Sequence, residues 1–218
     1  MAIVQGVKEK VHLPLYDCFF LPGPKNGQAP KTFVEVMADP PVIRFFVDVK
    51  GKTTLETNLQ VGGQWADQST FEVRTLRVVM SSPSSRGELI KEPVILSDLI
   101  NNSVLTLIVG EKIMIQAPTW FFAGGAGITS SFPNVSKHGE SNPMATFRFS
   151  EPVVIDRQQN FRVEMSFPHG LPDAATQPEP DGLAGLKGPF RIWVVLDGSL
   201  TRVRGNRHKR RSRKKAMK

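Results

Sequence analysis

The residues whose type and spacing could do chemistry are gathered at one end of the chain. Residues 202–218, RVRGNRHKRRSRKKAMK, hold ten of the 28 Lys and Arg and none of the 20 Asp and Glu. The chain before Arg202 carries a net charge of −2, and the last seventeen residues carry +10. Such a run repels itself and has almost nothing apolar to bury, so it is expected to stay disordered until a polyanion neutralises it. Arg204, Arg207, Lys209, Arg210, Arg211, Arg213, Lys214 and Lys215 would then contact phosphates without reading sequence, because no aromatic side chain is present to stack on a base. The same composition serves a solubilising tail or a nuclear-import signal. Anionic lipid is a third use of it, disfavoured by the lack of an apolar anchor beside the charges.

Elsewhere the chemistry is sparse. His12, His138, His169 and His208 lie far apart, with no HxH or HExxH spacing to hold a metal. Cys18 is the only cysteine, which excludes an intramolecular disulfide and a cysteine-based zinc site, and its apolar setting keeps the thiol unreactive. The glycines of residues 121–127 have no following Lys-Ser/Thr to make a phosphate loop, and no GxSxG occurs. Asp48, Glu56, Glu72 and Glu164 are expected on the wet faces of strands. The expectation is therefore a protein that is not an enzyme and takes no cofactor, no metal and no small-molecule substrate. The start, MAIVQGVKEK, lacks the apolar core of a secretory signal, so the two Asn-X-Ser sequons are not expected to carry sugar. Residues 117–128, the longest weakly polar run, fall well short of the ~20 residues needed to span a bilayer, which argues against a membrane partner.

These groups must be positioned by strands. FEVRTLRVVM (71–80) alternates Phe71, Val73 and Thr75 with Glu72 and Arg74, the pattern of a strand with one buried and one wet face. The phase then slips through Leu76, Val78 and Val79, which calls for a bulge near Thr75 or for cover on both faces. TFVEVMA, PPVIRFFVDVK, TTLETNLQV, VLTLIVG, KIMIQAP, ATFRFS, PVVIDR, NFRVEMSF and FRIWVVL read as further strands. Hairpin turns are expected at Lys50-Gly51-Lys52, Gly110-Glu111 and Asp197-Gly198, and one helical turn at 97–102. The connection 169–189, with four glycines and four prolines, is long enough to be functional or interface-forming. The fold class is thus all-β: a single jelly roll or related antiparallel β-sandwich over residues 32–203. An extended N-terminal arm (1–31) precedes it and a disordered basic C-terminal tail (204–218) follows. Phe19, Phe20 and Leu21 make the arm too apolar for a free linker, so it packs on its own domain or on a neighbour.

A near-neutral β-sandwich with long loops, an apolar arm and a short basic tail resembles a jelly-roll virus capsid protein, of the single jelly-roll type found in small icosahedral viruses and tailless phages. The resemblance implies a virion structural protein that self-assembles into a homo-oligomeric shell, with Phe19, Phe20 and Leu21 as oligomer contacts and the tail on nucleic acid. It further implies a virion location, with the host cytoplasm before assembly, or the nucleus in a eukaryotic host. A monomeric nucleic-acid-binding or host-interacting β-domain is the alternative.

Overall fold

The computed structural model describes residues 8–23, 32–37, 40–65, 69–81, 98–122, 128–131, 135–138, 146–171 and 189–203. Ten strands run through them: β1 (Lys8–Leu21), β2 (Val42–Phe45), β3 (Thr70–Ser81), β4 (Val104–Val109), β5 (Lys112–Pro118), β6 (Ile128–Ser131), β7 (Val135–His138), β8 (Arg148–Ile155), β9 (Phe161–Ser166) and β10 (Phe190–Val203). One four-stranded sheet has the order β1-β10-β3-β8 and a second the order β2-β9-β4-β5, while β6 and β7 pair with each other. All pairings are antiparallel. Leu15, Phe71, Val73, Leu76, Ile155, Ile192 and Val194 of the first sheet share one buried cluster with Phe45, Leu105, Leu107, Val163 and Met165 of the second. The two inner faces therefore enclose a single core, each buried Leu, Val or Phe contributing about 1.5–3 kcal/mol of transfer free energy.

The phase slip in β3 is a bulge. Asp197 pairs with Thr75 and Gly198 with Val73, leaving Arg74 as the extra residue. That residue restores the alternation, so Phe71, Val73 and Leu76 all face the core and Glu72 and Arg77 face outward. Asp197-Gly198 is correspondingly no hairpin. It lies inside β10, and a Cβ at Gly198 would collide with the Glu72 carbonyl and press the Phe71 ring. Glycine is there for close approach to the bulged strand, not for a reversal.

Four more expectations are corrected. Lys8–Leu21 is not part of an arm outside the domain but an edge strand paired along its whole length with β10, because Leu13, Leu15, Phe19 and Leu21 recur with period 2 and face the core. TFVEVMA forms the short helix α1 (Phe33–Val36), which a Thr32/Glu35 capping box starts, Thr32 N–H donating to Glu35 Oε2 at 2.8 Å. Lys50-Gly51-Lys52 does turn, yet TTLETNLQV after it is not a strand, since Thr53 to Thr57 turn again. Residues 148–155 form one strand rather than two, its irregularity against β3 absorbing Pro152. The turn at Gly110-Glu111 and the helical turn at 98–101 lie where the sequence places them. The connection 172–188 lies outside the described residues.

Candidate nucleic-acid interface

The eight tail residues proposed as phosphate contacts, Arg204, Arg207, Lys209, Arg210, Arg211, Arg213, Lys214 and Lys215, lie outside the described residues. What is placed is the surface they leave from. β10 is flanked on both sides, and its last residue, Val203, pairs with Lys8 at the start of β1. Arg202 belongs to this strand and binds Glu9 at 3.0 Å, so it is part of the sandwich and not of the basic run.

Period-2 alternation aims a row of charged side chains outward at this end of the sheet. Lys10 Nζ donates to Glu72 Oε2 at 2.6 Å, and Arg74 approaches the same oxygen at 3.5 Å. His12 Nε2 lies 2.6 Å from Asp197 Oδ1, while Arg77 reaches Asp197 Oδ2 at 3.5 Å. The Lys10 hydrogen bond, helped by the charges of Lys10 and Arg74, holds the Glu72 carboxyl below its ordinary value despite some burial. Each acid in this row is therefore already matched by a cation. Lys10 and Arg74 could take an external anion only by trading an internal partner for it, and exposed pairs of this kind contribute about 0–1 kcal/mol each.

The three side chains expected at an oligomer contact have separate fates. Leu21 is fully buried in the core of its own chain. Phe19 is half-buried, edge-to-face with Phe33 at 5.7 Å, and Phe33 in turn meets Phe167 at 6.1 Å. Phe20 faces outward beneath the Arg191 guanidinium, 4.3 Å from its ring centre, in cation–π contact. Leu21 is thus withdrawn from any neighbour, and Phe19 largely so, because the segment that carries them is a core strand.

Among the described residues no three His, Cys, Asp or Glu side chains come together as metal ligands. His12 is engaged with Asp197, His169 stands in a turn, and His208 lies outside the described residues. Cys18 is fully buried, and burial together with the nearby Glu56 charge pushes its thiol up to about 12. Of the four acids expected on wet strand faces, Glu72 and Glu164 are there. Glu164 holds Arg162 at 2.8 Å and Arg44 at 3.6 Å.

One inward-facing acid was missed. Asp17 of β1 is fully buried and accepts hydrogen bonds from Phe46 N–H at 2.7 Å and from Lys52 Nζ at 2.8 and 2.9 Å. Its signal is an acid at a core phase of LPLYDCFFL, in a segment expected to be an extended arm. No family model matches the chain, and neither the curated proteins nor the solved structures compared with it give a match.

Proposed function

We propose that this chain is a virion shell subunit of the single jelly-roll type, which self-assembles and holds nucleic acid without sequence preference through residues 204–218. The observation that carries the reading is the strand order. With β1-β10-β3-β8 on one side of the core and β2-β9-β4-β5 on the other, successive strands β1 to β4 alternate between sheets, as two Greek keys rolled together require. Jelly rolls also serve lectins and cupin enzymes, so function rests on the site. A polycation joined directly to the flanked strand β10 supports a polyanion partner, and no cluster of ligating or nucleophilic groups supports catalysis among the described residues. The reading includes a virion location and no cofactor.

A second reading has its own support. Leu21 and Phe19 are used within the chain, which removes the apolar arm as a device for gripping a neighbour and favours a monomeric nucleic-acid-binding β-domain. Light scattering and negative-stain imaging of the full chain with nucleic acid separate the two. Closed particles of uniform size support the shell. A monomer at high concentration with nucleic acid bound replaces it with the binding domain. Binding that lacks a steep salt dependence, expected near −7 in log K against log salt for eight phosphate contacts on duplex DNA, removes both.

A further inference from the structure

Residues 47–62 leave the sandwich and return to almost the same point. Gly63 N–H donates to the Phe46 carbonyl, and both residues that flank the excursion have left-handed backbone, Phe46 at φ 68° and Gly63 at φ 68°. The segment is turned on itself by Lys52 N–H to Val49 O at 3.3 Å and by Thr53, whose carbonyl accepts from Glu56 N–H and Thr57 N–H at 2.9 and 3.0 Å. A loop with joined ends and its own internal bonds is a compact unit.

Residues 47–52 are tied to β1 by the Lys52 ammonium, which donates to the buried Asp17 carboxylate at 2.8 and 2.9 Å. Beyond Lys52 the contacts with the body are fewer and directional. Asn58 acts as a one-residue strand along the free edge of β1: its Oδ1 accepts from Tyr16 N–H at 3.0 Å, and its Nδ2 donates to Pro14 O at 2.7 Å. Thr57 Oγ1 donates to Tyr16 O at 3.1 Å. Farther over the outer face, the Tyr16 hydroxyl bonds Thr54 O and Trp193 Nε1 donates to Leu55 O at 3.0 Å. Tyr16 and Trp193 flank Cys18, one on the same strand and one directly across, so residues 54–56 lie over the buried thiol. Apolar anchoring is thin. Leu59 packs against the core while Val47, Leu55 and Val61 face solvent.

We propose that residues 53–62 form a strap that opens as one unit about Lys52 and Gly63 while both sheets and the Asp17–Lys52 pair stay in place, and that the closed strap keeps the β1 edge from pairing with a strand of a second copy. Segments with few buried apolar contacts occupy the low end of the stability range within a fold. Once Pro14 and Tyr16 are released, the edge of the fourteen-residue strand β1 runs uninterrupted, which is an invitation to such pairing.

Cys18, the only cysteine, reports the motion. With an aromatic disulfide reagent, the full chain should be labelled with a denaturant dependence below half that of global unfolding. Asn58→Ala removes an exposed side chain and should accelerate labelling at least tenfold, raise exchange of the Tyr16 amide by a similar factor and leave the melting temperature within a few degrees. At equal concentration the variant should sediment as a larger species than the parent. Labelling that follows global unfolding in both proteins overturns the strap as an independent unit, whether or not the variant is stable. Fast labelling with unchanged sedimentation overturns the blocking role.

Discussion

Two edges of the sandwich, β1 and β5, end their sheets in opposite ways. β1 has an amide side chain laid along it, whose two hydrogen bonds imitate a neighbouring strand, and a buried ion pair behind it. β5 has nothing laid along it among the described residues; its register against β4 is broken by a bulge at Met114, and Ile113 and Met114 are 59% and 42% exposed. The remaining two edges are modest hazards: β2 is four residues long, and β8 is interrupted around Pro152. Free edges are normally blunted by short strands, bulges, proline or cover, and this protein spreads all four over its edges. Protection is therefore local to each strand, not a property of the sandwich.

The largest test of that contrast is Asp17→Ala. It strands the Lys52 ammonium and the Phe46 amide beside the core, and removing one member of a buried pair costs about 3–5 kcal/mol, to be read from the chemical-denaturation midpoint. Replacing Phe19 and Phe20 with Ser should come next, lowering stability by about 2–4 kcal/mol through lost core contact and lost cation–π contact. The loss should appear even at dilutions where no oligomer exists, which separates folding from assembly. Ile113→Lys on β5 should change stability by less than about 0.5 kcal/mol, since the side chain is already exposed. It should nonetheless reduce any self-association that runs through that edge, measured by sedimentation. Stopping the chain after Val203 should leave the melting temperature within a few degrees and abolish salt-dependent nucleic-acid binding.

The smallest effect belongs to Glu72. Its carboxyl is held below the ordinary value of 4.5, so its pairing contributes fully above that pH and is lost as pH falls through the lowered value. Glu72→Gln should lower stability slightly at pH 7, where the pairing is complete, leave it unchanged below the lowered value, and so flatten the acid limb of the stability curve.

The core strands were legible because their alternation is written in side chains that pack only one way. Phe71, Val73 and Leu76, and likewise Phe161, Val163 and Met165, could be assigned to an inner face from spacing alone, and even the bulge at Arg74 showed as a broken phase. β1 was hidden by composition. Pro14, Asp17 and two adjacent phenylalanines suggest an irregular arm unless Asp17 is granted a buried partner, and that partner, Lys52, stands 35 residues away. The same distance defeats the strap, whose hold on β1 is made by Asn58 and Thr57, residue types that occur in any loop. Asp197-Gly198 misled for the converse reason: a local signal for a turn was overruled by the need to fit glycine against a bulged neighbour.

The position of β10 has a mechanical consequence. A pull on the chain beyond Val203 runs along this strand, and the strand lies between β1 and β3, bonded to both. Interstrand hydrogen bonds stand perpendicular to that direction, so the load is borne in shear: fourteen pairings with β1 and the ladder with β3 must slide together and cannot unzip in succession. Gly198 sharpens the lock, because displacing it by one residue would drive a neighbouring side chain into the Glu72 carbonyl. Whatever holds the end of the chain is thereby coupled to the most firmly gripped strand of the sandwich.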